Sequence, residues 1–262
     1  MAYQAFRFEV AENVGRISLS RPERGNPFDG DFCAELTRIA TECDENPDVR
    51  AVLIDADGPY FSVGADLRRL SRDRDELPYF IKNATAGLHT ALSRLARMNA
   101  PVVAAVHALA VGGSVSLVAA ADFCLAASSA EFYAGYMGIG LVPDGGATYF
   151  LPRRLGVRRA TEFLLRNQRW SATQAREYGL ANEVVDDAQL AGRAWALATE
   201  LAEGPTLAYG EVKNLILSTW EQPLEAQMEH EARAMARIAR TEDGWHGITT
   251  VLAKSKPRFT GR

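Results

Sequence analysis

Cysteine and histidine are both sparse in this chain, and their spacing excludes two functional classes. The three cysteines, Cys33, Cys43 and Cys124, are scattered and odd in number, so no disulfide framework is expected. The four histidines, His89, His107, His230 and His246, lie far apart, and none pairs with a cysteine at ligand spacing. A metal site is therefore not expected. Basic charge is not in excess either. A formal net charge of −4 argues against a nucleic-acid binder, whose usual footprint is a basic face. The first residues, MAYQAFRFEVAENVGRISLSRP, lack the basic start and apolar run of a signal peptide and alternate instead as a strand pair. The longest apolar stretch, around PVVAAVHALAVGG, is too short and too interrupted to span a bilayer. Neither membrane nor nucleic acid is an expected partner, and the cytoplasm is the expected compartment. No Gly/Ser-rich linker, repeat or low-complexity segment divides the chain.

What is present suits an α/β protein with a large core. Of the 262 residues 47% are hydrophobic and 24% charged. RISLSRP (16–22) reads as a strand, and a helix is expected from near Asp31 to before Pro47. VRAVLIDADG (49–58) reads as a buried strand stopped by glycine. FIKNATAGLHTALSRLARMNAP follows as a long helix, with Leu88, Leu92, Leu95 and Met98 at three- and four-residue steps. Pro101 ends it, and VVAAVHA is the next buried strand. This rhythm predicts mainly parallel pairing. After Gly156 the pattern changes. Ser171 and Gln174 form a capping box, and Gly179 stands at a helix C-terminus. Helices are then expected over 188–203, 205–219, 223–240 and 243–254. Leu224, Met228, Met235 and Ile238 make one apolar stripe, which would cover the core or pack between subunits.

Three glycine-rich turns carry the chemistry. In FSVGADL (61–67) a glycine follows a buried strand, which lets backbone N–H groups point at a ligand. In LAVGGSVSLVAAADFC paired glycines end a strand and open a helix, so the Gly113 N–H lies at the positive end of the helix dipole. Each turn alone is explained by tight packing; together they can supply two donors to one carbonyl oxygen, an oxyanion hole. The second turn fits neither a phosphate-binding loop ending in Gly-Lys-Ser/Thr nor a GxSxG elbow, so Ser114 and Ser116 are not expected nucleophiles. The third, GIGLVPDGGATYF (138–150), holds Asp144 between a proline and two glycines. Asp144 is either a turn former or a charged group held at a fixed angle among apolar residues, here Tyr136, Ile139, Leu141 and Phe150.

RPERGNPFD, FSVGADL, PVVAAVHALAVGGSVSL, GIGLVPDGGATYFLPRRLG, SATQAREYGLANEVV and the ending KSKPRFTGR together resemble the enoyl-CoA hydratase/isomerase (crotonase) superfamily, in order and over nearly the whole chain. The resemblance implies a spiral of ββα units over 1–200 and a helical region over 201–262 that closes the coenzyme A site and builds a homotrimer or hexamer. It implies an acyl-CoA thioester as ligand, with coenzyme A arriving as part of the substrate and no tightly bound cofactor. The thioester oxygen would rest on the N–H groups of Ala65 and Gly113. Of the two glutamates of the family's hydratases, one falls at Ser116 and the other at Tyr136, so both are replaced. A hydroxyl does not readily take over a carboxylate's work as general base. LVPDGG resembles the isomerase branch, including the ring-epoxide isomerases of phenylacetyl-CoA breakdown, which implies Asp144 as acid/base. His89, Tyr136, Gly113 and Asp144 also fall where the family's dehalogenases carry a histidine base, a tryptophan, an oxyanion glycine and a nucleophilic aspartate. A hydrolytic reaction using Asp144 and His89 is thus one alternative; a hydratase or a non-catalytic acyl-CoA- or RNA-binding relative is another. Coenzyme A would meet Arg24, Gly25, Ala65 and Leu67, with Asp66 near the adenine. Lys254, Lys256, Arg258 and Phe259 resemble a tail that reaches phosphate or adenine, commonly on a neighbouring subunit.

Overall fold

The structure, a computed structural model, describes residues 3–262. The first two positions of the expected N-terminal strand pair and of the expected 1–200 core lie outside the described residues. The pair itself is β1 (Phe6–Ala11) and β2 (Val14–Leu19), antiparallel about a two-residue turn. Glu12 and Asn13 both take positive φ (52° and 62°), the backbone that matches strand twist in a tight hairpin. Parallel strands then extend the sheet: β3 (Ala51–Ala56), β4 (Val102–Val106), β6 (Phe123–Ala127) and β9 (Glu183–Val185), in spatial order β1-β2-β3-β4-β6-β9. All five residues of β4 are buried, as befits a strand covered on both faces. A smaller sheet joins β5 (Ala110–Val111), β7 (Glu131–Tyr133) and β8 (Arg169–Ser171). These two- and three-residue strands have no periodicity to read and were not expected from the sequence.

The crossovers are helical. α1 (Gly30–Glu45) returns β2 to β3, α3 (Leu77–Arg97) returns β3 to β4, and α2 (Leu67–Leu70) is a single turn between. α3 starts three residues before the expected Phe80, with Pro78 in the first turn where its missing N–H costs nothing. α1 and α3 cross at Gly87, whose carbonyl takes a bond from the Thr37 hydroxyl at 2.8 Å. α4 (Gly113–Ala120) is buried all round, and α5 (Ala147–Leu155) and α6 (Val157–Leu165) follow it in the second layer. Ser171 and Gln174 form the expected capping box of α7 (Ala172–Tyr178), and Gly179 ends it with φ +92°. α8 (Leu190–Ala202) lays Leu190, Ala194, Ala198 and Ala202 against the main sheet.

α9 (Thr206–Ser218) is fastened to this core by a buried lysine. Lys213 Nζ donates to Leu95 O and Ala100 O and pairs with Asp122 at 2.8 Å. α10 (Leu224–Ile238) and α11 (Glu242–Leu252) complete the chain, and the four C-terminal helices fall within two residues of their expected starts. Along α10 the expected stripe is present, yet Leu224, Met228 and Met235 face solvent in the single chain. No helix among the described residues is long and apolar enough to cross a membrane.

Candidate active site

The fold brings the three glycine turns to one place. Two backbone bridges align the first turn with its neighbours: Phe28 N–H donates to Gly64 O at 2.8 Å, and Val111 N–H to Ser62 O at 3.0 Å. Gly64 sits so close to the second turn that a Cβ would lie 2.7 Å from Val111 O, at a φ of +78° that side chains avoid. Ala65 is thereby set beside Gly112–Gly113. Gly112 takes φ 57° and ψ −115° and opens α4, leaving the Gly113 N–H at the helix start. Among the described residues neither the Ala65 nor the Gly113 N–H has a hydrogen-bond acceptor. Two unspent donors on one cavity wall are what an oxyanion hole draws on.

Both readings of Asp144 hold, on different atoms. Its main chain makes a turn: Asp144 O accepts from Ala147 N–H at 3.0 Å and from Ser116 Oγ at 2.9 Å, while Gly145 and Gly146 take φ +59° and +76°. Its side chain takes no part in that turn. Oδ1 accepts from the Tyr136 hydroxyl at 2.9 Å, and Oδ2 has no hydrogen-bond partner among the described residues and stays open. A methyl built on Gly113 would stand 3.8 Å from Oδ1, which fixes carboxylate and oxyanion donor as neighbours. Tyr136 is itself buried, and its hydroxyl lies 3.1 Å from Ser116 Oγ. Burial, and then the charge of Asp144, push the Tyr136 phenol far above its usual range, so it remains a neutral donor.

All of this lines a cavity of about 370 Å³ with largely apolar walls. Phe28, Leu70, Ile81, Leu88, Ile139 and Leu141 are among its walls, and Asp144 is the single carboxylate among its lining residues. Ala65 and Leu67 stand at the cavity as expected. Arg24 is close by, held by a 2.6 Å pair with Asp66, and Gly25 takes φ +74° beside Val63. Asp66 also accepts from Arg68 and Arg69 N–H at the start of α2, so its carboxylate is already engaged.

Other expected residues lie elsewhere. Phe150 does not line this cavity: α5 turns it to the far side, toward Lys213 and Trp220, because the two left-handed glycines reverse the chain before the helix starts. His89 is exposed on α3 and meets the Asp144 loop from behind, accepting from Gly145 N–H at Nε2 (3.1 Å). That bond occupies the lone pair a general base would need, and the ring is not part of the cavity wall. The geometry therefore does not supply the water-activating histidine of the hydrolytic alternative. His107 braces Gly58 O at 2.8 Å, a supporting role. Lys256 and Phe259 lie on the tail, which folds onto α11 through Thr260 and Gly261 N–H bonds to Asp243, and neither lines this chain's own cavity. Two contributors escaped the sequence reading: Phe28, which stacks on Phe32 at 3.8 Å beneath Gly113, and Ser116 as the anchor of Asp144 O. Only three-dimensional contact reveals them.

Comparison with known proteins identifies the family. Residues 9–262 match the family described as enoyl-CoA hydratase/isomerase. A 1,2-epoxyphenylacetyl-CoA isomerase of Escherichia coli is 34% identical over 254 residues, covering 97% of each chain. A 4-chlorobenzoyl coenzyme A dehalogenase of Arthrobacter is 31% identical over 226 residues, 86% of this chain and 82% of its own. The crystal structure of an enoyl-CoA hydratase from Polaromonas sp. JS666 superposes with a TM-score of 0.92 at 30% identity, over 98% of this chain and all of that one (100%). Three different reactions are named among these relatives, so similarity alone does not choose between them.

Proposed function

The chain belongs to the enoyl-CoA hydratase/isomerase family with its crotonase fold, and from that premise we propose that it is an acyl-CoA isomerase using Asp144 as its one acid/base. The observation that carries this reading is the carboxylate itself: one oxygen held by Tyr136, the other open, beside Gly113 in an apolar cavity. The thioester oxygen rests on the N–H groups of Ala65 and Gly113. Asp144 takes a proton from C2, the electron pair moves onto that oxygen as an enolate, and the carboxyl returns the proton at C4 as the double bond shifts. One carboxylate closes this cycle with no net gain or loss. The same enolate serves a ring opening.

Hydration by two carboxylates is not supported, because Ser116 and Tyr136 occupy the other positions and their hydroxyls are bonded to Asp144. Hydrolysis is not supported, because His89 stands outside the cavity. Arg24, Gly25, Asp66 and Leu67 form the coenzyme A side of the mouth. Lys256 and Phe259 are assigned to the site of a neighbouring copy in a homotrimer or hexamer, since they do not reach their own.

The test is Asp144→Asn, which keeps volume and turn preference while removing the proton site. Turnover of a 3-enoyl-CoA should fall roughly 10²–10⁴-fold with KM little changed, and deuterium exchange at C2 and C4 should vanish with it. Activity within about tenfold of the parent would return Asp144 to the turn. Mass spectrometry of the product decides the reaction: isomerisation leaves the mass unchanged, hydration adds water, and hydrolysis frees coenzyme A.

A further inference from the structure

The hydroxyls of Ser116 and Tyr136 pose a proton-counting problem whose solution assigns them a role. Two short contacts join them to Asp144, Ser116 Oγ to Asp144 O at 2.9 Å and Tyr136 Oη to Asp144 Oδ1 at 2.9 Å, and a third, Ser116 Oγ to Tyr136 Oη at 3.1 Å, joins them to each other. The two hydroxyls own only two protons. Ser116 Oγ donates its proton to Asp144 O, the shorter of its two contacts and one that can only accept. The Tyr136 proton must then choose between Asp144 Oδ1 and Ser116 Oγ, both within bonding distance. An ionised carboxylate is the stronger acceptor and takes it. When the carboxyl has gained a proton and lost its charge, Ser116 Oγ is a competing acceptor of similar strength.

We infer that Tyr136 is a positioning residue for proton transfer: it occupies Oδ1 of Asp144, so the carboxyl takes and gives its proton through Oδ2, with Ser116 as the alternative acceptor for the tyrosine hydroxyl. The inference rests on the acid/base reading of Asp144 above. Three observations support it. Oδ2 is the oxygen without a partner, and it belongs to a residue on the cavity wall. Tyr136 is buried and stays protonated, so its single proton is always available to donate. Both anchors are rigid: Ser116 lies within the wholly buried α4, and a Cβ on Gly145 would come within 2.9 Å of the Ser116 Cβ, so loop and helix are in tight contact. The other titratable groups facing Asp144 are Cys33, whose thiol is pushed up to about 12 by burial and then by the Asp144 charge, and His89, which touches Gly145 from outside. Neither competes for Oδ1.

The test replaces only the hydroxyl. In full-length protein carrying 13C-carboxyl aspartate, the Asp144 signal is identified by its loss in Asp144→Asn. In Tyr136→Phe that signal should move at neutral pH, because the carboxylate has lost its donor. With trans-3-hexenoyl-CoA as probe, kcat should fall roughly 10- to 100-fold, the worth of a hydrogen bond to a charged group, with KM little changed. A tyrosine that merely packed would leave the signal where it was and the rate near the parent's. An unmoved signal in Tyr136→Phe beside an inactive Asp144→Asn overturns the Tyr136 role and leaves the proposed reaction standing. Parental turnover in Asp144→Asn overturns the reaction and the proton-transfer role together.

Discussion

Gly113 brings the site both an unspent N–H and a missing side chain, and substitution can separate the two. A Cβ at this position would meet Phe28 Cδ2 at 3.1 Å, so any replacement makes the ring give way by a few tenths of an ångström. From the sequence alone, proline looks harmless at the first residue of a helix; the Phe28 contact adds a cost the sequence does not display. Gly113→Ala carries that cost while keeping the donor, and Gly113→Pro carries it and loses the donor. If the N–H belongs to an oxyanion hole, kcat of the proline variant should lie a further 10²–10³-fold, roughly, below that of the alanine variant. Equal rates in the two variants would remove the N–H from that role. The residues of the site were legible to different degrees. Asp144 and Gly113 stood out because a charge among apolar residues and a glycine pair at a helix start break local rules. Phe28 breaks none, and the serine and tyrosine hydroxyls acquire meaning only through their distances to Asp144.

At the scale of elements, the start of α1 carries the clearest stability signal near the cavity. Asp29 caps the helix through Phe32 N–H at 3.0 Å and forms a two-pronged pair with Arg21 at 2.7 and 2.8 Å, both side chains buried. Burial pushes the Asp29 carboxyl up, but the Arg21 and Phe32 donors and the charges of Arg21 and Arg24 outweigh it and hold the group below 3.8. A carboxylate lowered on folding adds stability above its unfolded value and loses it as pH falls through its folded value. Asp29→Ala should therefore cost about 3 kcal/mol at neutral pH, since it strands a buried guanidinium. The gap in urea midpoint between parent and variant should narrow as pH drops below 3.8, and a gap independent of pH would show that folding does not lower the Asp29 carboxyl. Elements of this length were legible because α1, α3 and the four C-terminal helices each repeat their pattern over several turns. β5, β7 and β8 span two or three residues and owe their existence to neighbouring chain. The misplacement of Phe150 has the same origin, because the sequence does not say which way a helix faces after two left-handed glycines.

On the scale of the whole molecule, the C-terminal helices show an imbalance that one chain does not resolve. Lys213 and Asp122 secure α9 to the core, while α10 and α11 turn large apolar side chains outward: Leu224, Met228 and Met235 on one, Trp245, Val251 and Leu252 on the other. Met235 is 73% and Leu252 78% exposed, values opposite to those of the core. Large apolar side chains exposed on consecutive helices are a common mark of a protein–protein surface. Copies of the same chain are the economical partner, since a closed ring buries one such face per subunit. The tail points the same way, because Lys256 and Phe259 do not line their own cavity and would serve one across a subunit boundary. Light scattering should therefore give three or six times the 28.6 kDa of one chain, unchanged on dilution through the micromolar range. Met235→Glu and Leu252→Glu together place two charges in the covered face and should lower that mass toward one chain. If Phe259 completes a neighbour's site, the dissociated protein should also bind an acyl-CoA more weakly although Asp144, Ala65 and Gly113 are untouched. A parent mass of 28.6 kDa at every concentration would refute the assembly, and unchanged acyl-CoA affinity in a dissociated variant would return the tail to its own chain.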